Sequence, residues 1–319
     1  MHFHSVEMLS ELPKGPKYYD LAVFSSGFEA RSTHVAKLVG NDAANSNVVL
    51  GFRDGATLLS REENDKYFQY AMGVAVEVPL GGQDERCIFE KLEALARLAN
   101  GKPIRLLVDY SVMTRVWYGA ILTWARFSEY QAPLEIDFVY SYGRYLSEFQ
   151  PLSISEIVSF PGFEGISGGF RSTAAIFGLG YDKYATLAVY DRLEPDSVYC
   201  CVAQKTDDDP DSVRVLTENA VILEAATKTF TLPLGDLSAA FRLMCEQVVL
   251  LDQANHIVVV PMGPKTHVLV TLLVALRMPR ITCLHAKGTR VEPVQVEAQG
   301  DLSIARVTFF PASQVAVEA

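Results

Sequence analysis

A chain of 319 residues with a formal charge of −10 and 49% apolar residues has the size of about two ordinary globular domains, large enough to need no disulfide or metal staple. The five cysteines, Cys87, Cys200, Cys201, Cys245 and Cys283, show no CxxC spacing, which points to reduced thiols in a cytoplasmic protein. The acidic balance, with no Lys/Arg cluster longer than two residues, argues against duplex nucleic acid, and the longest apolar run, His267 to Leu276, is too short to span a bilayer.

No apolar stretch of the signal-peptide kind follows Met1–Ser5. Tyr19 to Phe52 then reads as strand, tight turn, helix and strand, and Ala174 to Val202 reads the same way. Gly27-Phe28 matches Gly180-Tyr181, and Pro79-Leu80-Gly81 recurs as Pro233-Leu234-Gly235, each time before a helical stretch. An apolar strand from Ile104 to Val108, a polar turn, a helix beginning at Val116 and a strand from Leu134 to Ser141 follow. Their counterparts are the strand from His256 to Val260, an apolar helix and a strand ending at Ala286. The three anchors lie at offsets of 153 (180 − 27), 154 (233 − 79) and 152 (261 − 109) positions, which reads as an internal duplication.

The fold class expected is therefore α/β: two tandem Rossmann-like halves with parallel sheets and right-handed crossovers. Residues 1–150 form the first half and 172–290 the second. Residues 151–171, with Pro161-Gly162, Gly165 and Gly168-Gly169, read as the connection between them. Residues 291–319 read as a C-terminal hairpin on a sheet edge, broken at Gln299-Gly300-Asp301 and fraying at its polar end. Thr206 to Asp211 carries four carboxylates, but a solvated loop explains them better than a cation. His34 falls on an apolar helical face and reads as structural. His256 and His285 lack partners at ligand spacing, so neither a metal nor a cofactor is expected.

Ligands of parallel α/β sheets bind where strands end and helix N-termini begin, and the repeat supplies four such turns. In the first, Ser25, Ser26, Gly27 and Phe28 would let backbone and hydroxyls approach a ligand, with Arg31 as a fork for phosphate. Glu29 would cap the helix, pair with Arg31 or meet a ribose hydroxyl. The second, Asp109-Tyr110-Ser111-Val112-Met113-Thr114-Arg115, puts a carboxylate, hydroxyls and a guanidinium at the mouth of a buried strand, which is costly unless they find partners. The bland account has Asp109 capping the helix while Thr114 and Arg115 face solvent. The third turn holds Gly180 and Tyr181, but Tyr184 breaks the GxGxxG pattern. In the fourth, Gly263 and Pro264 introduce Lys265, Thr266 and His267 at a helix start. A cation there opposes the helix dipole, which suggests a bound anion. Trp117, Tyr118 and Trp124 form a stripe that reads as helix packing.

With turns of the type DYSVMTR and two Rossmann-like halves, the chain resembles the CARF and SAVED sensor group. The resemblance rests on Asp109, Ser111, Thr114 and Arg115, with Lys265 and Thr266 in the paired turn; Val112 and Met113 stand where the common CARF pattern has glycines. It implies strand-end loops that hold a cyclic nucleotide second messenger. The favoured reading is a nucleotide-sensing protein of a bacterial stress or antiviral system, acting through a partner chain or its own oligomerisation. Arg31, Arg115 and Lys265 would hold phosphates, Ser25, Ser26, Ser111 and Thr114 would add hydrogen bonds, and Phe28 or Tyr181 would stack on a base. One alternative is an enzyme cleaving a phosphodiester or N-glycosidic bond, with Asp109 or Glu29 as base and His267 or Lys265 as acid or charge clamp. The other is a scaffold subunit that binds nothing.

Overall fold

The computed structural model describes residues 1–79, 85–146, 151–166, 171–206, 209–289 and 292–315. The chain divides into two compact units, Met1–Glu148 with Pro293–Ala319, and Phe149–Glu292. Each is built on one mixed sheet of mostly parallel strands.

In the first unit the strands are β1 (His2–Met8), β2 (Tyr19–Ser26), β3 (Ala44–Gly51), β4 (Val76–Glu77), β5 (Ile104–Asp109) and β6 (Leu134–Tyr145). Between them run α1 (His34–Val39), α2 (Arg61–Lys66), α3 (Arg86–Ala99) and α4 (Arg115–Phe127). The second unit has β7 (Ser153–Ser159), β8 (Ser172–Leu179), β9 (Ser197–Gln204), β10 (Lys228–Pro233), β11 (Asn255–Pro261) and β12 (Thr282–Thr289). Its helices are α5 (Lys183–Leu193), α6 (Pro210–Glu218), α7 (Ala220–Ala225), α8 (Leu237–Asp252) and α9 (Lys265–Arg277). The chain then returns to the first unit as β13 (Val296–Phe310).

The two sheets share one plan. Strands run β4-β3-β2-β5-β6 in one and β10-β9-β8-β11-β12 in the other, all parallel. The central strands are apolar without alternation because helices cover both faces: Leu21 to Phe24, Leu106 to Val108, Ala174 to Phe177 and Ile257 to Val260 are all buried. α4 and α9, which follow the equivalent strands β5 and β11, are each buried at ten positions. The order reverses between β2 and β5 and between β8 and β11, the switch points where such sheets hold ligands.

Two expectations from the sequence are corrected. Residues 151–171 are no mere connection: β7 pairs antiparallel with β12, from Leu284 opposite Ser159 to Thr289 opposite Ser153. Ile154 and Ile157 pack on the second core, and Phe160 and Phe163 are buried. Gly168-Gly169 lies outside the described residues, as do Leu80-Gly81 and Asp207-Asp208. Residues 291–319 are no edge hairpin. β13 is a single 15-residue strand, paired with β6 on one side and β1 on the other. The break at Gln299-Gly300-Asp301 is an irregularity between Ala298 and Leu302, with Gly300 at φ +97°, and the strand pairs with β6 again beyond it in a shifted register, Leu302 opposite Ser141.

The chain thus exchanges strands reciprocally. β7 follows β6 but completes the second sheet, and β13 follows β12 but completes the first. A buried ionic network fixes β13 in place: Arg306 donates from Nε to Asp137 Oδ1 (2.7 Å) and from Nη2 to Asp137 Oδ2 (2.9 Å), and Tyr19 donates to the same carboxylate (2.8 Å).

Candidate functional site

At the carboxyl edge of the first sheet β2 ends on Ser25 and Ser26, both fully buried. The turn after them is held from several sides. Ser32 Oγ accepts from Gly27 N–H (3.0 Å) and donates to Ser25 O (2.6 Å). Ser26 Oγ donates to Asp65, which also takes Arg61 Nε at 2.8 Å. Asn64 Nδ2 donates to the carbonyls of Gly27 and Glu29, 2.9 Å each. Gln295 accepts from Ala30 N–H (3.1 Å) and donates to Ser60 (2.7 Å). Phe28 is half-buried, and its carbonyl takes Ser60 N–H. Sequence reasoning missed Arg61, Asn64, Asp65 and Gln295. The available signal was the i,i+4 pair of Arg61 and Asp65 at 2.8 Å in an otherwise polar stretch.

Arg31 is only 3% exposed. Its Nε meets Glu29 Oε2 at 2.6 Å, and its Nη1 donates to Ser141 O (2.7 Å) and Tyr140 OH (3.3 Å), with the guanidinium 5.2 Å from the Tyr140 ring centre. Burial alone would lower its pKa; Tyr140 and Glu29 outweigh that and raise it. Of the three roles open to Glu29, the structure shows the ion pair with Arg31 and no side-chain cap bond.

β5 ends on Asp109, 1% exposed. Ser111 donates both its N–H (3.0 Å) and its hydroxyl (2.5 Å) to Asp109 Oδ1, and Ser111 Oγ accepts Ser141 N–H (2.8 Å). Asp109 therefore organises its own turn. The helix cap is Thr114, whose hydroxyl accepts from Trp117 N–H. Arg115, half-buried, is the first residue of α4, where a cation opposes the helix dipole. Tyr110 lies in an aromatic cluster, 5.4 Å between ring centres from both Tyr118 and Tyr140 and 5.9 Å from Phe138. Burial, first of all, raises the pKa of both Tyr110 and Tyr118, so both are neutral phenols.

Four hydroxyls at this edge, Ser25 Oγ, Tyr110 OH, Tyr118 OH and Ser141 Oγ, are fully buried and have no hydrogen-bond partner. β2 and β5 are paired as far as Val23 and Val108, two residues before Ser25 and Tyr110, and Ser141 is tied to Ser111. Buried polar groups are nearly always bonded, and each orphan costs about 1–3 kcal/mol. Tyr118 and Ser141 were not singled out as ligand groups from the sequence.

The matching edge of the second unit is closed. A Cβ on Gly180 would stand 2.6 Å from Met262 O, and one on Gly263 would stand 2.8 Å from Leu179 O. The glycines thus serve the approach of two backbones to each other. The turn is also two residues shorter: Asp109 and Pro261 are 152 positions apart, Arg115 and Lys265 only 150. Tyr181 packs on the second core, 4.9 Å beneath Arg214. Pro264 is the N-cap of α9 rather than a residue of its first turn, Lys265 is the first helical residue, and Thr266 has a buried hydroxyl without a partner.

His267 is 4% exposed, and its Nε2–H donates to Pro233 O at 3.1 Å. Burial pushes its pKa down to about 4, with the carbonyl opposing the shift. At neutral pH it is an uncharged structural residue, which corrects its assignment as an acid. The folded value lies below the ordinary 6.5, so the stability due to neutral His267 is present above pH 6.5 and is lost as pH falls toward 4. Urea unfolding followed by circular dichroism between pH 7 and pH 4 is expected to show a loss of about 3 kcal/mol from this residue. His267→Gln should remove that part of the pH dependence, and an unchanged slope would refute the assignment.

Among the described residues no group of three or more His, Cys, Asp or Glu is placed to hold a metal ion, and no helix is long and apolar enough to cross a membrane. No protein family matches the chain, and no curated protein does. Among solved structures it is similar to a universal stress protein from Archaeoglobus fulgidus DSM 4304, at 10% identity and a TM-score of 0.26, over 86% of this chain and 99% of that one. A TM-score of that size carries no argument about function.

Proposed function

We propose that the carboxyl edge of the first unit binds a nucleotide-type small molecule, and that the chain is a non-catalytic sensor of it, acting through a partner chain or self-assembly. The observation that supports this reading is the set of orphaned buried hydroxyls on Ser25, Tyr110, Tyr118 and Ser141, at the ends of β2 and β5, on α4 and within β6. A ligand rich in hydrogen-bonding atoms would satisfy them, and a switch point is where such a ligand is expected. The resemblance to the CARF and SAVED group supplies the ligand class. The catalytic alternative finds less support. Of its proposed bases Glu29 is paired with Arg31, and of its proposed acids His267 is neutral and bonded to Pro233 O.

Thermal unfolding against mono-, di- and cyclic nucleotides, with chromatography of each mixture afterwards, tests the proposal. Both tryptophans, Trp117 and Trp124, lie on α4, so fluorescence reports the first unit alone. At least one compound is expected to raise the midpoint and be recovered intact. Recovery as product would make the chain an enzyme, and a flat response would mean that the hydroxyls are satisfied by water. Tyr118→Phe sharpens the test. It removes a hydroxyl that has no partner, so the ligand-free midpoint should hold or rise, while the ligand-induced shift should shrink.

A further inference from the structure

Resting on that reading, we infer that the part of the ligand enclosed at this edge is uncharged, the base or sugar of a nucleoside, and that any phosphate it carries stays at the rim with Arg115.

The charges already present decide this. Arg31 and Arg61 are buried cations of the edge, but Glu29 neutralises the first at 2.6 Å and Asp65 the second at 2.8 Å, while Ser141 O and Tyr140 OH take Arg31 Nη1 and Phe52 O takes Arg61 Nη1. An incoming phosphate would have to break one of these pairs, leaving Glu29 or Asp65 against the new anion. Asp109 is a buried carboxylate at the end of β5. A phosphate enclosed beside it would bring more acceptors to a group that already takes the N–H and the hydroxyl of Ser111. What the edge offers instead is neutral: two serine hydroxyls and two phenols. Burial keeps the phenols protonated, so they donate to ring nitrogens, carbonyls or sugar oxygens and present aromatic faces as well. Arg115 is half-buried at the start of α4, where its charge and the helix N–H groups favour an anion outside the hydroxyl cluster.

The turns after β2 and β5 come into ordinary van der Waals contact at Gly27 and Val112, where a Cβ on Gly27 would lie 3.5 Å from Val112 Cβ.

The test compares binding of adenosine, guanosine, cytidine and uridine, their 5′-monophosphates, inorganic phosphate and pyrophosphate to the full chain by calorimetry. At least one nucleoside is expected to bind, its monophosphate to bind within about tenfold of it, and phosphate and pyrophosphate not to bind. Tyr118→Phe and Ser141→Ala should each weaken the nucleoside by about 2- to 13-fold, the worth of one hydrogen bond. Arg115→Ala should weaken the monophosphate and leave the nucleoside unchanged. Circular dichroism and ligand-free midpoints confirm that the variants are folded. Binding of pyrophosphate or monophosphates without any nucleoside would overturn the inference and leave the nucleotide site standing. If no compound in the panel binds, the inference falls, and the nucleotide site falls with it only if the di- and cyclic nucleotides of the thermal panel also fail to shift the midpoint.

Discussion

Replacing Arg31 with Met is expected to destabilise the first unit by about 3–5 kcal/mol, the usual cost of leaving a buried ion-pair partner alone. Met restores the apolar volume of the stem, so the loss isolates the guanidinium. That group ties the turn after β2 to β6, through Glu29 on one side and Ser141 O and Tyr140 on the other. Urea unfolding followed by tryptophan fluorescence measures the effect. A phosphate-binding arginine would behave differently, because removing it would abolish ligand binding while the empty protein kept its stability. A change below about 1 kcal/mol would therefore restore Arg31 to the ligand site.

Arg306→Met should cost a similar amount, about 3–5 kcal/mol, for a related reason. Asp137 is 1% exposed and keeps Tyr19 as a hydrogen-bond partner, but it loses the fork that neutralises it. The consequence reaches further than one contact. β1 pairs with β13 and not with β6, so loosening β13 loosens two strands of the first sheet. Hydrogen exchange should show lost protection along both β1 and β13, with β8 to β11 unaffected. Uniform loss across both units, or none, would contradict the role assigned to this network.

The plan of the sheets was legible because it is written locally. Runs such as Leu106 to Val108 and Ile257 to Val260 are apolar without alternation, and each is followed by a helix of matching character. The strand exchange was not legible. Nothing near β7 specifies that Ile154 and Ile157 belong beneath β12 rather than beside β6, because strand partners are chosen by long-range packing. Gly300 misled for a local reason: a positive-φ glycine marks a bulge as readily as a turn. The site divides in the same way. Asp109, Tyr110 and Ser111 stood out as polar residues at an apolar strand's end. Tyr118 was hidden in the stripe of Trp117 and Trp124, where its ring does pack, 5.4 Å from Tyr110. Only the fold reveals that its hydroxyl has no partner. Gly180 and Gly263 attracted attention as a ligand cradle, whereas they let two turns touch.

The most direct test of a ligand site in the first unit is a single comparison of nucleotide binding by matched variants of the two units. Tyr118→Phe with Ser141→Ala alters the first edge, and Thr266→Val alters the buried hydroxyl of the second. With the best compound of the panel, calorimetry should show binding weakened at least tenfold by the first pair, the loss of one to two hydrogen bonds, and unchanged by the second. Weakened binding in Thr266→Val with the first pair silent would place the ligand on the second unit and contradict the assignment.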